Sequence, residues 1–191
     1  MIDHERIIEL VASMKQKHPC RGPRELIEDL DIGLLEVPMG PQSGAIKGFI
    51  QKNSRCYTIA VNSDLAPEVQ DKILFHEIGH YALHHLSGLR KSFLADQSFS
   101  YRRDAGELAR KENEANFFAA EYLLDTEETL LAVHQYDLAT AAHILRVPLE
   151  FLDYKLRLLY RIGRLEKRPN VTELCSNCLL KMETTGIITD C

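Results

Sequence analysis

The spacing of hydrophobic residues along this chain of 191 residues changes from a helical period to a strand period and back again. The first segment carries apolar residues three or four positions apart, namely Ile7, Leu10, Val11 and Met14. This spacing is typical of an amphipathic helix, which we expect to end before Pro19 because the residue before a proline avoids helical backbone. A second, short helix is predicted from Pro23, since proline suits the first position of a helix.

Three short segments rich in β-branched and aromatic residues follow, at 32–37, 45–50 and 56–61. The segments between them, 38–41 and 52–55, contain proline, glycine, asparagine and serine, which favour turns. We therefore predict three short strands that form a small antiparallel sheet, connected as a meander.

The helical period then returns for most of the remaining chain. Candidate N-cap residues at 62–64 and Pro67 precede a predicted helix of about 66–85, with apolar positions at Val69, Ile73, Leu74 and Ile78. A poorly periodic connection, 88–101, leads to a second long helix of about 105–124. From 137 onward the pattern is helical again, with a break near Pro148. The pattern as a whole predicts an α+β fold.

The first long helix carries candidate metal chemistry in the stretch His76-Glu77-Ile78-Gly79-His80. Residues four apart lie on the same side of a helix, so both imidazoles can bind one ion. Zinc enzymes of this kind use three protein ligands and leave the fourth position to water. Glu77 is placed to accept a proton from that water. We therefore predict a zinc ion bound by His76 and His80, with Glu77 as the catalytic base.

A third ligand must come from another segment, and the second long helix offers acidic residues for that role. Glu112 and Asn116 share one helical face, so that Glu112 can bind the metal while Asn116 hydrogen-bonds a ligating histidine. Glu114 is the second choice and Glu121 the third. His84 extends the face of His76 and His80, but we expect it to be a buried or pocket-rim residue rather than a ligand.

The stretches FHEIGHYALHH and EANFFAAEYLL together resemble the ImmA/IrrE family of intracellular zinc metallopeptidases, over roughly residues 1–160. The likeness places the family's two motifs on His76, Glu77, His80 and Glu112, Ala115, Asn116, Phe118, Ala119. It implies a zincin-like domain and a gluzincin-like mechanism. An oxyanion donor is also needed, and Tyr101 or a nearby histidine is a candidate. Two departures are Leu124-Asp125-Thr126, where many members have Leu-Met-Pro, and the tail after about 169.

The resemblance also suggests the partner of the enzyme. Members of the ImmA type cleave helix-turn-helix repressors, so the implied substrate is a transcriptional repressor of a phage, mobile element or stress-response system. An extended substrate segment is expected to add to the exposed edge of the small sheet.

The segment 137–156 has the layout of a helix-turn-helix, with two short helices across a tight turn. From 137 to 168 there are seven Lys or Arg and four Asp or Glu, a net charge of +3. Direct DNA contact, docking of the repressor and plain packing all remain open, with DNA contact the least favoured. We predict a zincin-like metallopeptidase domain at 1–130, a helical, helix-turn-helix-like region at 131–168 and a cysteine-containing tail at 169–191.

The chain has five cysteines, of which Cys175, Cys178 and Cys191 lie in the tail. The pair at 175 and 178 suits one edge of a thiolate zinc site, but a redox pair and a reduced pair without a role are alternatives. A second, structural zinc ion is therefore a candidate cofactor. The formal net charge of -5 indicates no chain-wide attraction to nucleic acid. No apolar run reaches the ~18 residues of a membrane span. The N-terminus does not resemble a signal peptide, so we expect a cytoplasmic protein.

The leading hypothesis is a zinc-dependent endopeptidase of regulatory, narrow specificity, acting as an anti-repressor protease. The opposing hypothesis is a DNA-binding or repressor-binding regulator whose metal site is not catalytic. A third is an aminopeptidase that trims short peptides.

Overall fold

The computed structural model describes residues 2–19, 22–42, 44–53, 56–84 and 105–167. These residues form seven helices and three strands. In chain order they are α1 (His4–Lys17), α2 (Pro23–Asp29), β1 (Gly33–Val37), β2 (Gly48–Asn53), β3 (Cys56–Asn62), α3 (Pro67–His84), α4 (Ala105–Leu123), α5 (Thr126–Gln135), α6 (Leu138–Ile144) and α7 (Leu149–Arg161). The predicted α+β fold class is confirmed. None of the described helices is both long and apolar enough to cross a membrane.

Local sequence signals account for the ends of the first two helices. The Asp3 carboxylate accepts a hydrogen bond from the Arg6 N–H at 3.1 Å and so caps α1. Helix α1 ends at Lys17, two residues before Pro19, and buries Ile7, Val11 and Met14 along one side. Helix α2 begins at Pro23, as predicted.

The sheet is mixed, so the prediction of an antiparallel meander is wrong. The strand order is β1-β3-β2, with β1 parallel to β3 and β2 antiparallel to β3. Strand β3 is therefore central, and its Ile59 and Val61 side chains are fully buried. Strand β2 forms one edge of the sheet.

A buried asparagine at the end of β3 holds the connection between β1 and β2. The Asn62 side chain accepts the Met39 N–H at 3.1 Å and donates to the carbonyls of Gly40 at 2.7 Å and Ile46 at 3.1 Å. It thereby satisfies backbone groups in the connection between β1 and β2, which crosses beside β3 instead of closing a hairpin. Hydrophobic periodicity contains no information about such a polar anchor.

The chain divides into two compact units, Met1–Asp125 and Thr126–Cys191. The described part of the second unit has its own core, formed by Ala132, Ala141, Ala142, Leu152 and Leu156. Within it, α6 and α7 are joined by the tight turn 145–148, in which Arg146 has a φ of 55°. The predicted domain boundaries near 130 and 168 stay predictions, and the predicted cysteine tail lies outside the described residues.

Candidate metal centre

Helix α3 brings the two histidines of the motif onto one side, as the spacing predicted. Their Nε2 atoms are 3.0 Å apart, and the His80 side chain is 5% exposed. Helix α4 packs against this side of α3. The two helices can approach closely here because Gly79 has no side chain. The residue of α4 that faces Gly79 is Ala115, which is fully buried in this contact.

Glu112 completes a group of three candidate ligands. Its Oε2 lies 3.3 Å from His76 Nε2, and its Oε1 lies 3.4 Å from His80 Nε2. One ligand atom from each of the three residues lies within 4.8 Å of the others. Two imidazole nitrogens and one carboxylate oxygen form the donor set of a catalytic zinc site. The arrangement therefore fits a zinc ion with further positions left for water or substrate.

Asn116 fixes the orientation of the His76 ring. The distance from His76 Nδ1 to Asn116 Oδ1 is 2.8 Å. An amide oxygen can only accept, so Nδ1 donates its proton to Asn116, and Nε2 is the nitrogen that faces Glu112 and is available to a metal once it is deprotonated. The pKa of His76 is changed in opposite directions by its surroundings. Burial lowers the pKa, but the hydrogen bond with Glu112 and the charges nearby outweigh burial and leave it raised.

The Glu112 carboxyl is strongly biased towards its charged form. Burial by itself would raise the pKa of Glu112. The hydrogen bonds and positive charge of His76 and His80 exceed that effect and hold the pKa well below its usual range. Glu112 is thus an anion beside two imidazoles, which is the charge state that a divalent cation requires.

Glu77 lies beside this group but is not part of it. The residue is 4% exposed, and burial raises the pKa of its carboxyl, while the charges of His76 and His80 lower it less. A smaller influence comes from the main chain of Ile50, on the edge strand β2, whose hydrogen bonding lowers the pKa of this carboxyl. Among the described residues, Glu77 Oε2 has no hydrogen-bond partner. A buried carboxyl with one unpartnered oxygen is suited to take up and release a proton.

The alternative ligands lie elsewhere on α4. Glu114 Oε2 is 3.8 Å from His84 Nε2, and its other oxygen is 3.8 Å from Arg110. Glu121 is not among the residues whose ligand atoms converge with the histidines. Within the described ranges, His76, His80 and Glu112 are the residues grouped as a candidate metal site. The structure therefore places the preferred third ligand, and neither alternative, beside the histidines.

His84 is nearly buried at the end of α3, with a side chain 8% exposed. Its Nε2 lies 3.4 Å from the Lys111 carbonyl oxygen. Burial, assisted by the charge of His80, lowers the pKa of His84 to about 4, so that the ring is neutral near pH 7. The ring thus contacts α4 next to the candidate site. Tyr101, Cys175, Cys178 and Cys191, also singled out from the sequence, lie outside the described residues.

Two contributors were missed by sequence reasoning. One is the main chain of Ile50, which leaves no trace in side-chain patterns. The other is the close contact of Gly79 with α4. A glycine in the middle of a helix costs stability relative to alanine, and this cost was a signal that a close approach was needed.

Comparison with known families gives a match over residues 27–157 to the family described as IrrE N-terminal-like domain, Peptidase M78. The matched range begins in α2, ends in α7 and contains all four residues of the candidate site. No curated protein matches the chain.

Proposed function

The chain belongs to the IrrE N-terminal-like family of peptidases, and we propose that it is a zinc-dependent endopeptidase of narrow, regulatory specificity. The proposed substrate is a helix-turn-helix transcriptional repressor of a phage, mobile element or stress-response system, cleaved in the cytoplasm. The reaction class is supported by the family match. The substrate class is supported by the resemblance to the ImmA/IrrE family described above.

The observation that carries the proposal is the convergence of Glu112 with His76 and His80, next to the buried carboxyl of Glu77. His76, His80 and Glu112 would hold the ion. A zinc ion bound there would acidify a water molecule and polarise the carbonyl of a peptide bond. Glu77 Oε2 would accept the proton of that water and deliver it to the nitrogen of the leaving amine. Asn116 would keep the His76 ring in the tautomer that binds metal.

The outer edge of β2 is the proposed docking line for substrate. The influence of the Ile50 main chain on the pKa of Glu77 supports a location of this strand next to the base. Among the described residues no strand pairs with β2 on that side. An extended peptide can add there as a further strand, and its main-chain hydrogen bonds would hold the scissile carbonyl near the site.

The experiment compares the zinc-loaded wild type with Glu77→Gln on a library of peptides prepared from a bacterial cytoplasmic proteome. New N-termini are then identified by mass spectrometry. We expect the wild type to produce a small set of cuts with a shared sequence, enriched in helix-turn-helix repressors. Glu77→Gln should retain zinc and fold but lose the cuts. Glu114→Gln is the matched control, because it neutralises a carboxylate on α4 outside the candidate group.

The opposing hypothesis is a regulator that only binds DNA or a repressor. Several observations disfavour DNA contact through α7. Lys155 is fully buried, and its Nζ donates to Thr126 Oγ1 at 3.0 Å. Arg157 is paired with Asp153 at 2.6 Å, and Glu150 lies in the first turn. A recognition helix needs exposed donors and positive charge at that end. Full biological activity of Glu77→Gln would support the binding hypothesis and exclude the peptidase.

Two further assignments rest on the sequence alone and remain proposals. Tyr101 is a candidate oxyanion donor, and Cys175, Cys178 and Cys191 are candidate ligands of a second, structural zinc ion. Metal analysis tests the latter directly. Two ions per chain in the wild type, and one in Cys175→Ser, would support it, whereas one ion in both would exclude it.

An aminopeptidase would instead hydrolyse short chromogenic peptides, which a narrow endopeptidase should leave intact.

A further inference from the structure

One face of the edge strand β2 lies along the helix that carries the candidate metal ligands. Successive side chains of a strand point to opposite faces, so Gly48, Ile50 and Lys52 share one face. Helix α3 covers this face at Gly48, where an added Cβ would lie 2.6 Å from Ile73 Cγ2. Ile50, the next residue of the row, is buried, at 3% exposed. Lys52 is exposed and stands at the far end of the row.

The end of the row at Lys52 adjoins α3 through two tyrosines. Lys52 lies opposite Tyr57 in the register of β2 on β3, and its Nζ lies over the Tyr57 ring, 5.1 Å from the centroid. The Tyr57 ring meets the Tyr81 ring of α3 edge to face, with the two centroids 5.0 Å apart. A cation at this distance is attracted by the negative face of the ring. Since Tyr81 directly follows His80, the ammonium group is held near the end of the segment that carries the candidate ligands.

The spacing of residues on α3 places this cation close to the candidate base. Ile73, Glu77 and Tyr81 are four residues apart, so they lie along one side of the helix. The first contacts β2 at Gly48, and the last contacts the tyrosine opposite Lys52. Glu77 lies between them and is therefore level with the middle of β2. Lys52 is two residues farther along the strand, a distance of about 7 Å.

Lys52 differs from Arg110 and Lys111 of α4 in having no acidic partner. Lys111 is paired with Glu107 at 2.9 Å, and Arg110 lies 3.8 Å from Glu114. In the part of the chain that the structure describes, no carboxylate forms an ion pair with Lys52, whose ammonium group contacts an aromatic ring. A ring attracts a cation without neutralising its charge. The charge of Lys52 is therefore available to a carboxylate of the substrate.

We propose that Lys52 is a specificity-determining residue, which selects a peptide substrate with an aspartate or glutamate two residues before the scissile bond. This inference rests on the proposed function and on the addition of the substrate to the edge of β2. Antiparallel pairs of strands are roughly two- to three-fold more common than parallel ones. A substrate strand antiparallel to β2 runs from Lys52 towards Gly48, so its N-terminal part lies at the ammonium group. The substrate residue opposite Lys52 directs its side chain to the same face.

The expected preference is modest, because Lys52 is exposed to solvent. Ion pairs between exposed groups are weak, and we expect a glutamate at this substrate position to raise kcat/KM by about 2- to 5-fold over glutamine. Lys52→Glu should reverse the preference, so that the ratio of kcat/KM between the glutamate and lysine peptides falls by roughly 4- to 25-fold. A rise in ionic strength should reduce the preference of the wild type, because salt screens exposed charges.

The test uses a peptide that the wild type cleaves in the library experiment. Versions with glutamate, glutamine or lysine at each of the three positions on either side of the cleaved bond are compared by kcat/KM for the wild type, Lys52→Gln and Lys52→Glu. Lys52→Arg should keep the preference, because the charge and the contact with the ring both remain. Lys17→Gln is the matched control, since it removes one exposed positive charge from the last turn of α1.

The inference predicts the highest kcat/KM for glutamate two residues before the bond, loss of that advantage in Lys52→Gln and its retention in Lys17→Gln. A preference that survives in Lys52→Gln, or one that lies after the bond, overturns the inference while the proposed function stands. Equal cleavage of all the peptides by the wild type does the same. Failure of the zinc-loaded wild type to cut any peptide of the library overturns the proposed function, and the inference with it.

Discussion

Gly79 on α3 lies so close to Ala115 on α4 that a Cβ added to Gly79 would be 3.1 Å from the Ala115 carbonyl oxygen and 3.2 Å from its Cα. Such a Cβ would also be 3.1 Å from Phe118 Cδ1. The contact lies between His76 and His80 on one helix and between Glu112 and Asn116 on the other. The absence of a side chain at Gly79 therefore sets the helix separation at which the carboxylate reaches both imidazoles.

Gly79→Ala should lower both stability and metal affinity. The added methyl group meets backbone atoms that cannot rotate away, so the helices must move apart, at a cost of about 1–3 kcal/mol in the free energy of unfolding. Urea unfolding of the apoprotein and competitive zinc titration measure the two effects. Gly106→Ala is the matched control on α4, because no atom of the described residues lies within 4 Å of a Cβ added there. It should be neutral or stabilise by about 0.4–1 kcal/mol. An unchanged zinc affinity in Gly79→Ala would show that the helix separation does not control the site.

Glu112→Ala should remove most of the bound zinc, whereas Glu114→Ala should retain it. Glu112 contributes the only carboxylate oxygens of the described candidate group, at 3.3 and 3.4 Å from the two histidines. Loss of a direct ligand should weaken binding by more than the roughly 10- to 100-fold typical of supporting residues. Metal analysis after dialysis against a weak chelator distinguishes the variants. Zinc retained in Glu112→Ala and lost in Glu114→Ala would show that the third ligand is assigned wrongly.

Asn116→Ala should weaken zinc binding by about 10- to 100-fold and leave the fold intact. The change removes the acceptor that lies 2.8 Å from His76 Nδ1, so the ring can rotate and adopt the other tautomer. Asn113→Ala is the control, since the Asn113 amide donates to the Ala109 carbonyl within α4. Zinc titration of both variants gives the comparison, and equal affinities would contradict the role of Asn116.

Lys52→Pro should raise KM for a cleaved peptide with little change in kcat. Lys47 and Asn62 form a hydrogen-bonded pair, and such pairs recur at every second residue of an antiparallel ladder. The N–H of Lys52 therefore faces the outer edge of β2, where the substrate strand is proposed to bind. Gln51→Pro removes an N–H that bonds to β3 and should destabilise the protein far more. Lys52→Ala separates the contribution of the side chain, which lies over the Tyr57 ring at 5.1 Å. A KM that rises equally in Lys52→Ala and Lys52→Pro would assign the effect to the ammonium group and not to strand addition.

The stability of the second unit should depend on pH through the carboxyl group of Asp137. Its carboxylate accepts the Thr140 N–H at 2.9 Å and the Thr140 hydroxyl at 2.7 Å, which lowers the pKa below its ordinary value of 3.8. Because the folded pKa is depressed, the stabilisation is complete above the unfolded value and is lost as pH falls through the folded one. Asp137→Ala should therefore lower the urea midpoint near neutral pH, and its difference from the wild type should shrink below about pH 4. Asp137→Asn keeps an acceptor without a charge, and its midpoint should lack this contribution to the acid response.

The positions of two strands could be predicted from the sequence, but the pairing of the strands could not. The segments predicted at 32–37 and 56–61 nearly coincide with β1 and β3, because β-branched residues at short spacing are a local signal. The pairing was predicted wrongly, since adjacent strands were assumed to form hairpins. In the structure β1 is parallel to β3, and the buried side chain of Asn62 bonds to the connection 38–47. These three hydrogen bonds span 16 to 23 residues, so no local pattern of the sequence predicts them.

The sequence by itself determined the helix that carries His76, Glu77 and His80, because the geometry of residues four apart is local to one helix. It also restricted the third ligand to the acidic residues of α4 and ranked Glu112 first. Only the tertiary structure placed Glu112, and not Glu114, beside the histidines, through the close contact of Gly79 with Ala115. The influence of the Ile50 main chain on the pKa of Glu77 likewise depends on the packing of α3 against an edge strand. Contacts of this kind join main-chain atoms of residues far apart in sequence, and no pattern of side chains encodes them.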